Sequence, residues 1–209
     1  MNGVFITFEG VEGSGKTTQL RLVADFLKGL GRDVVVTREP GGTPLAERIR
    51  RLLMENSDET MSPLAELFLY EAARAQHVNT LILPALQRGA VVLCDRFADS
   101  TTAYQGAGRR LDPAVVTRLN RLAAGEAWPF HTYVFDLCAA EGLRRARDRG
   151  SDDRMMQESL AFHDRIREEF LSLAREEQDR ITMIDAARPV ERIQEELRRH
   201  ICGLPFMAR

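Results

Sequence analysis

Residues 10–17, Gly-Val-Glu-Gly-Ser-Gly-Lys-Thr, limit the possible folds of this chain more than any other segment. They match the pattern G-x-x-x-x-G-K-[ST], in which flexible glycines let successive backbone N–H groups face one phosphate chain. The apolar run VFITF precedes this segment, and apolar residues at helical spacing follow it. A buried strand followed by a helix is the context in which such a loop binds a nucleoside triphosphate, because the helix N-terminus then faces the phosphates.

Two side chains of this loop have predicted tasks beyond backbone binding. We expect Lys16 to reach the β- and γ-phosphates and the Thr17 hydroxyl to ligate Mg²⁺. The chain has 27 arginines and two lysines, so a lysine at this motif position is informative. The predicted contacts of the triphosphate are Gly10, Val11, Glu12, Gly13, Ser14, Gly15, Lys16, Thr17 and Thr18.

Short β-branched runs alternate with longer amphipathic segments along the whole chain. Runs that are apolar on both faces and separated by helices are typical of a parallel sheet covered on both sides. The sequence therefore predicts an α/β fold of the P-loop NTPase type: a doubly wound, five-stranded parallel sheet with helices on both faces and a small flap, residues 1–209 forming a single domain. The predicted strands span residues 4–8, 34–37, 90–94, 132–137 and 181–184, and the predicted helices include residues 17–30, 44–54, 63–88 and 113–124.

Composition and charge exclude several classes of protein. The net charge is −2, which argues against a general nucleic-acid or anionic-membrane binder. No apolar run reaches the roughly 20 residues that span a bilayer, and the N-terminus lacks the basic segment of a secretory signal. Three cysteines without a CxxC pair indicate reduced thiols, and four histidines without metal-ligand spacing indicate structural or surface roles. The expected location is the cytoplasm.

A second polar pair follows the third predicted strand, where Asp95 and Arg96 come directly after Cys94. Ligands of open α/β sheets bind at the carboxyl edge of the strands, where this pair should lie. Asp95 is a candidate for holding Mg²⁺ through water or orienting an acceptor, and Arg96 for binding a second phosphate. The alternative is a surface Asp–Arg pair that caps the next helix. A second anion site favours phosphoryl transfer to an acceptor over transfer to water.

Five arginines crowd residues 144–154, on either side of a Gly-Ser-Asp-Asp break. Such a break after an arginine-rich helix end is typical of a mobile flap that brings an arginine onto transferring phosphates. This flap would span about residues 144–156. A solvated helix face with interspersed acids is the alternative interpretation. The arginines are Arg144, Arg145, Arg147, Arg149 and Arg154.

Three motifs occur in a fixed order: the loop at residues 9–18, Thr-Arg-Glu-Pro-Gly-Gly-Thr at residues 37–43, and Asp-Arg-Phe at residues 95–97. With them, and with residues 100–109 and the flap, nearly the whole chain resembles bacterial thymidylate kinases. The resemblance implies transfer of the γ-phosphoryl group of ATP to dTMP, giving dTDP for dTTP biosynthesis, with Mg²⁺ as cofactor. It also implies a homodimer, whose interface helices the sequence leaves open.

The resemblance assigns residues to the acceptor phosphate and sugar. Arg50 and Arg96 are expected to bind the dTMP phosphate, because two guanidiniums offset a dianion and present planar forks to its oxygens. Glu12 is expected to accept a hydrogen bond from the 3′-hydroxyl of the sugar. Tyr104 resembles the family's gate against a ribose 2′-hydroxyl, since a bulky ring leaves that hydroxyl neither space nor a partner.

For the base, the resemblance predicts one stacking ring and three polar contacts. Aligning Arg74 with the family's base-contacting arginine puts Tyr70 where the family has a stacking phenylalanine, and Phe68 is the alternative. Arg74 would donate to a base carbonyl, Thr101 would contact the base edge, and Gln105 would form the neighbouring wall.

The loop departs from one branch of the family, because none of residues 11–14 is an arginine. The resemblance is then to the branch in which the flap supplies the arginine that offsets charge on the transferred group. Arg149 and Arg154 are the first candidates and Arg147 the next, while Glu158 is a candidate for placing a Mg²⁺-bound water. No general base is required, since the acceptor phosphate is already a nucleophile, and catalysis by Lys16, Asp95, Arg96 and the flap is positioning and charge neutralisation.

Two other functions stay open from the residues alone. One is a kinase acting on dUMP, another monophosphate or a nucleoside; Arg50 and Arg96 favour a phosphorylated acceptor and Tyr104 favours deoxyribose, while the thymine preference rests on the resemblance. The other is a nucleotide-dependent switch, which would position a water molecule as acceptor and contact a partner through its switch loops. ATP turnover that depends on a monophosphate distinguishes a kinase from a switch.

Overall fold

The five predicted strands are present in a computed structural model that describes residues 3–150 and 154–208. The strands are β1 Val4–Gly10, β2 Val34–Arg38, β3 Val91–Asp95, β4 His131–Asp136 and β5 Ile181–Asp185. They form one parallel sheet in the order β2-β3-β1-β4-β5, which confirms the predicted doubly wound sheet. All except β4 run one or two residues further towards their carboxyl ends than predicted, and all except β1 end at a charged residue.

Helices cover both faces of this sheet. The helix predicted over residues 63–88 is divided by a π-helical turn, Val78–Ile82. Pro84 has no N–H for a regular helical bond to the preceding turn, and the wider turn accommodates this loss. The α-helices are α1 Lys16–Gly29, α2 Pro44–Met54, α3 Pro63–His77, α4 Leu83–Gln87, α5 Ala98–Thr101, α6 Pro113–Ala124, α7 Ala139–Asp148, α8 Leu160–Glu176 and α9 Val190–Gly203. A second π-helical turn, Thr102–Gly108, extends α5, and 3₁₀ turns span Arg154–Gln157 and Pro205–Ala208.

Two apolar clusters, one on each side of the sheet, hold these layers together. Ile6 and Phe8 of β1 pack into one cluster with Leu20 of α1 and Leu197 of α9. Phe5, which points to the opposite face of the same strand, joins the other cluster with residues of α4. Burial on both faces explains why the strands are continuous apolar runs in the sequence.

The predicted flap spans two described pieces. The end of α7 and Gly150 form its first part, and the 3₁₀ turn Arg154–Gln157 forms its last part, with Met155 and Met156 buried. Residues 151–153 of the predicted flap lie outside the described residues. Among the described helices, none has the length and apolar character needed to cross a membrane.

Candidate active site

The phosphate loop connects β1 to α1 and has the conformation that its glycines permit. Gly13 has a φ of +69°, and a Cβ at this position would lie 2.1 Å from the carbonyl oxygen of Gly142 in α7. The loop therefore packs directly against the helix that carries the flap. The Lys16 ammonium donates to the carbonyl oxygens of Gly10 (3.0 Å) and Val11 (2.7 Å). Burial, with the nearby charge of Arg96, lowers the pKa of Lys16 to about 8.

Thr17 and Asp95 meet beside this loop. The Thr17 hydroxyl donates to Oδ2 of Asp95, because β3, which ends at Asp95, is the neighbour of β1 in the sheet. A hydroxyl and a carboxylate oxygen are donors that Mg²⁺ accepts, and this ion usually takes few protein ligands and completes its shell with water and phosphate. Within residues 3–150 and 154–208 no group of three or more His, Cys, Asp or Glu could hold a metal alone.

The Arg96 guanidinium connects the phosphate loop to Ser100 of α5. Its Nη1 donates to the carbonyl oxygen of Gly10 (2.9 Å) and to Oγ of Ser100 (3.2 Å), and its Nη2 donates to Oε1 of Glu12 (3.1 Å). The Tyr104 hydroxyl donates to the same Glu12 oxygen at 2.5 Å. Burial alone would favour a neutral Glu12, but the charge of Arg96 and the hydrogen bonds hold the pKa of Glu12 well below its usual range.

Glu9 is a site residue that the sequence reasoning missed. Its fully buried carboxylate accepts hydrogen bonds from the backbone N–H of Phe97 (2.6 Å) and the hydroxyl of Ser100 (2.5 Å). These bonds flank Arg96, whose backbone has a φ of +69°, a conformation that a non-glycine residue adopts only under constraint. Burial and the neighbouring Asp99 raise the pKa of Glu9 to about 8. An acidic residue at the end of an otherwise apolar strand was the available signal.

A cavity of about 420 Å³ opens next to Arg96 and the loop. It brings together the residues predicted to hold the acceptor, which are Arg50, Tyr70, Arg74, Arg96, Thr101, Tyr104 and Gln105. Arg50 donates to the carbonyl oxygen of Pro40 at 2.9 Å. Of the two candidate stacking rings, Tyr70 lines the cavity, whereas Phe68 is 52% exposed on the outer side of α3. Phe68 does not line this cavity, so the position of Tyr70 favours Tyr70 as the stacking ring.

The Arg74 guanidinium is held in place by hydrogen bonds to four buried side chains. Its guanidinium donates to Glu39, Glu71, Asn120 and Thr101, at 2.6–2.9 Å. These contacts with described residues occupy four of its five N–H groups, so one N–H on Nη2 is left for a ligand. Glu39, Glu71 and Asn120 are buried and were not anticipated, since nothing in their spacing points to an arginine on another element.

Arg149 and Arg154, the two flap arginines predicted to be catalytic, occupy different places. Arg149 lines the cavity. Arg154 donates to the carbonyl oxygen of Leu53 (3.0 Å) and pairs with the fully buried Glu66 of α3 (2.6 Å), and it does not line the cavity. Arg147 is exposed and does not line the cavity either. A buried carboxylate on α3 thus holds Arg154, which sequence spacing did not indicate.

Glu66 also organises the neighbouring side chains. It accepts from the amide of Gln105 (2.7 Å) and from Arg109 (3.1 Å), so the Gln105 amide that was expected at the base wall is engaged. Arg109 in turn donates to Glu158 at 2.5 Å, which occupies the carboxylate considered for placing a Mg²⁺-bound water.

A second cavity, of about 330 Å³, lies on the other side of the loop. Loop residues and Arg149 line both cavities, while Arg145, Arg188 and Val190 line only the second. Arg188 and Val190 follow β5, and no motif in the sequence indicated them.

His163, which was expected to be structural or at the surface, is buried next to the phosphate loop. Its side chain is 1% exposed and its Nδ1 lies 3.4 Å from Oε2 of Glu12 in the phosphate loop. It therefore belongs to the site.

A phosphate loop and an arginine-lined cavity, joined by Arg96 at the carboxyl edge of a doubly wound sheet, are typical of a P-loop kinase that acts on an anionic acceptor. The family model described as thymidylate kinase matches residues 8–197. The thymidylate kinase of Geobacter sulfurreducens is 53% identical over 90% of this chain and 92% of its own, and that of Pseudomonas fluorescens is 52% identical over 94% of both. The crystal structure of thymidylate kinase from Ehrlichia chaffeensis, 33% identical, superimposes with a TM-score of 0.78 over 96% of this chain and 99% of that one.

The chain belongs to the thymidylate kinase family. Its activity is the ATP-dependent phosphorylation of dTMP.

Proposed function

We propose that dTMP binds in the 420 Å³ cavity with its phosphate on Arg96 and Arg50, facing ATP on the phosphate loop. The observation that carries this proposal is the position of Arg96, whose guanidinium contacts both the Gly10 carbonyl oxygen and Glu12 at the mouth of the cavity. An arginine there holds the acceptor oxygen close to the γ-phosphoryl group, and positioning of this kind supplies much of the catalysis of phosphoryl transfer. The second cavity suits the nucleoside part of ATP, because it adjoins the loop on the side away from the acceptor.

In this proposal, cations at the phosphate loop and on the flap offset the negative charge of the transferred phosphoryl group. Lys16 exchanges its bonds to the loop carbonyl oxygens for bonds to the β- and γ-phosphates. Thr17 and Asp95 would hold Mg²⁺, directly or through water, and the ion would supply positive charge beside the phosphate oxygens. The flap supplies the remaining cation, as in the branch of the family without an arginine in the loop. Arg149 is our candidate, because it lines both cavities whereas Arg154 is tied to Glu66.

The acceptor nucleoside is recognised by the other walls of the cavity. The Tyr70 ring stacks on thymine, and the free N–H of Arg74 donates to a base carbonyl. Thr101 lies at the base edge and Gln105 forms the neighbouring wall. Glu12 accepts from the 3′-hydroxyl of the sugar. Tyr104, fixed by its bond to Glu12, occupies the space that a ribose 2′-hydroxyl would need.

The chain is also proposed to act as a cytoplasmic homodimer. Two helices that pack against each other, α3 and α6, carry apolar side chains that are exposed: Leu64, Phe68, Val115 and Leu122. Exposed apolar groups of this kind favour an interface between two copies of the chain. Sedimentation velocity of the purified chain tests whether it is a dimer. The cysteines Cys94, Cys138 and Cys202 are free thiols, which suits a reducing compartment.

The experiment that tests the acceptor site is the Arg96→Ala variant. We expect the KM for dTMP to rise at least tenfold and kcat to fall, while the Kd of an ATP analogue changes less than threefold, because Arg96 would contact the acceptor phosphate. The exposed Arg199→Ala on α9 is the matched control. Equal losses for dTMP and the ATP analogue would contradict the proposal.

A further inference from the structure

The imidazole of His163 lies between two hydrogen-bond acceptors from different parts of the site. His163 is in the first turn of α8 and its side chain is 1% exposed. Its Nε2 lies 3.2 Å from the carbonyl oxygen of Met155 in the flap. Its Nδ1 lies 3.4 Å from Oε2 of Glu12 in the phosphate loop.

Two polar atoms at this contact lack another partner. Nδ1 of His163 and Oε2 of Glu12 are both buried, and neither makes a hydrogen bond elsewhere within the described residues. Buried polar atoms without partners are rare in proteins, because each loses its bonds to water. A hydrogen on Nδ1, with an approach of a few tenths of an ångström, satisfies both atoms at once. Since Nε2 also faces an acceptor, the ring serves both sides only when each nitrogen carries a hydrogen.

The other carboxylate oxygen of Glu12, Oε1, already has two hydrogen-bond donors. Oε1 is fixed by Arg96 (3.1 Å) and Tyr104 (2.5 Å), both of which line the acceptor cavity. These bonds fix one end of the carboxylate and leave the other free to turn. A donor at Oε2 fixes the plane of the group and hence the direction in which it accepts a hydrogen bond.

We propose that His163 is a positioning residue that orients Glu12 towards the acceptor sugar through Nδ1, while its Nε2 binds the flap backbone at Met155. One ring thereby links the flap backbone at Met155 to the acceptor site. This inference rests on the proposed role of Glu12 in binding the 3′-hydroxyl of dTMP.

A pair of amide substitutions separates the two contacts. The amide nitrogen of asparagine lies close to the position of Nδ1 and that of glutamine close to Nε2, so H163N retains the donor to Glu12 and H163Q retains the donor to Met155. We expect H163N to leave the KM for dTMP within about threefold of the wild type. H163Q should raise it about tenfold, the size of one hydrogen bond to a charged group, with the KM for ATP changed less than threefold in both variants.

Coupling to Glu12 provides the second criterion. In the background of Glu12→Gln, the H163Q substitution should raise the KM for dTMP by less than twofold, because the group that it positions is already altered. Equal effects of H163N and H163Q, or additive losses in the double variant, would overturn the role of His163. An unchanged KM for dTMP in Glu12→Gln alone would overturn the proposed role of Glu12, and this inference with it. Should H163Q fail to fold, H163F retains the ring shape without either donor and must raise the KM as H163Q is expected to.

Discussion

Replacing Arg74 with methionine is expected to destabilise the protein much more than the loss of a ligand contact would. The guanidinium is 2% exposed and pairs with Glu39 at 2.8 Å and Glu71 at 2.9 Å. Methionine keeps an unbranched apolar chain in place of the arginine stem but provides no donor. The variant therefore leaves two buried carboxylates without their shared cation.

The size of the stability loss depends on which groups still contact these two carboxylates in the variant. Removing one partner of a buried ion pair costs about 3–5 kcal/mol, because the other charge is left desolvated. His77 still contacts Glu39 at 3.0 Å, and Glu71 is able to take up a proton, since burial already raises its pKa. We therefore expect the free energy of unfolding to fall by about 3–5 kcal/mol, the cost of one broken buried ion pair, although Arg74 pairs with two carboxylates. For a chain of this length the melting temperature falls by about 2–4 °C per kcal/mol, which gives a decrease of roughly 10 °C.

Thermal unfolding followed by circular dichroism measures this effect. Arg199→Met, an exposed position on α9 away from the proposed interface, is the control and should shift the melting temperature by less than about 2 °C, the effect of a surface substitution. Adding Glu71→Gln to Arg74→Met should recover part of the loss, because it removes one uncompensated charge. A decrease below about 3 °C for Arg74→Met, or no recovery with Glu71→Gln, would refute the reasoning.

Three further predictions concern the site. Because burial raises the pKa of Glu9 to about 8, the fold favours its protonated form; its contribution to stability is complete below its ordinary pKa and is lost as the pH rises to about 8. Glu9→Gln should therefore reduce the loss of stability that urea unfolding measures between pH 5 and 8, and an equal loss in both proteins would contradict this. Tyr104→Ala should narrow the ratio of kcat/KM for dTMP over its ribose analogue, and an unchanged ratio would refute the gate. Arg149→Ala should lower kcat by about 10³-fold with little change in the KM for dTMP, whereas Arg147→Ala, the matched control, should retain activity.

The sheet and the phosphate loop were predictable because their signals are local. A strand buried on both faces is a continuous apolar run, and the loop needs its glycines and lysine at fixed spacing. The same local signal placed Asp95 and Arg96 at the carboxyl edge of the sheet. The π-helical turn after α3 was missed, because a single proline in an apolar helix does not say how the helix will accommodate it.

The partners of the site residues were not predictable from the sequence, because they come from distant segments. Glu66 holds Arg154 across 88 positions of the chain, and His163 contacts Glu12 across 151. Neither a carboxylate within a helix nor a lone histidine carries a spacing that indicates its partner. The division between Arg149 at the cavity and Arg154 at Glu66 is likewise a property of the packed structure.

ADP formation from ATP and Mg²⁺, measured with a panel of acceptors, tests the central claim most directly. The panel contains dTMP, dUMP, UMP, dCMP, dGMP, AMP, thymidine and no acceptor. Strong stimulation by dTMP, weak stimulation by UMP and none by thymidine is the expected result, because in the proposed site Arg96 binds the acceptor phosphate and Tyr104 leaves no space for a 2′-hydroxyl. Turnover independent of the acceptor, or equal stimulation by thymidine, would contradict the account.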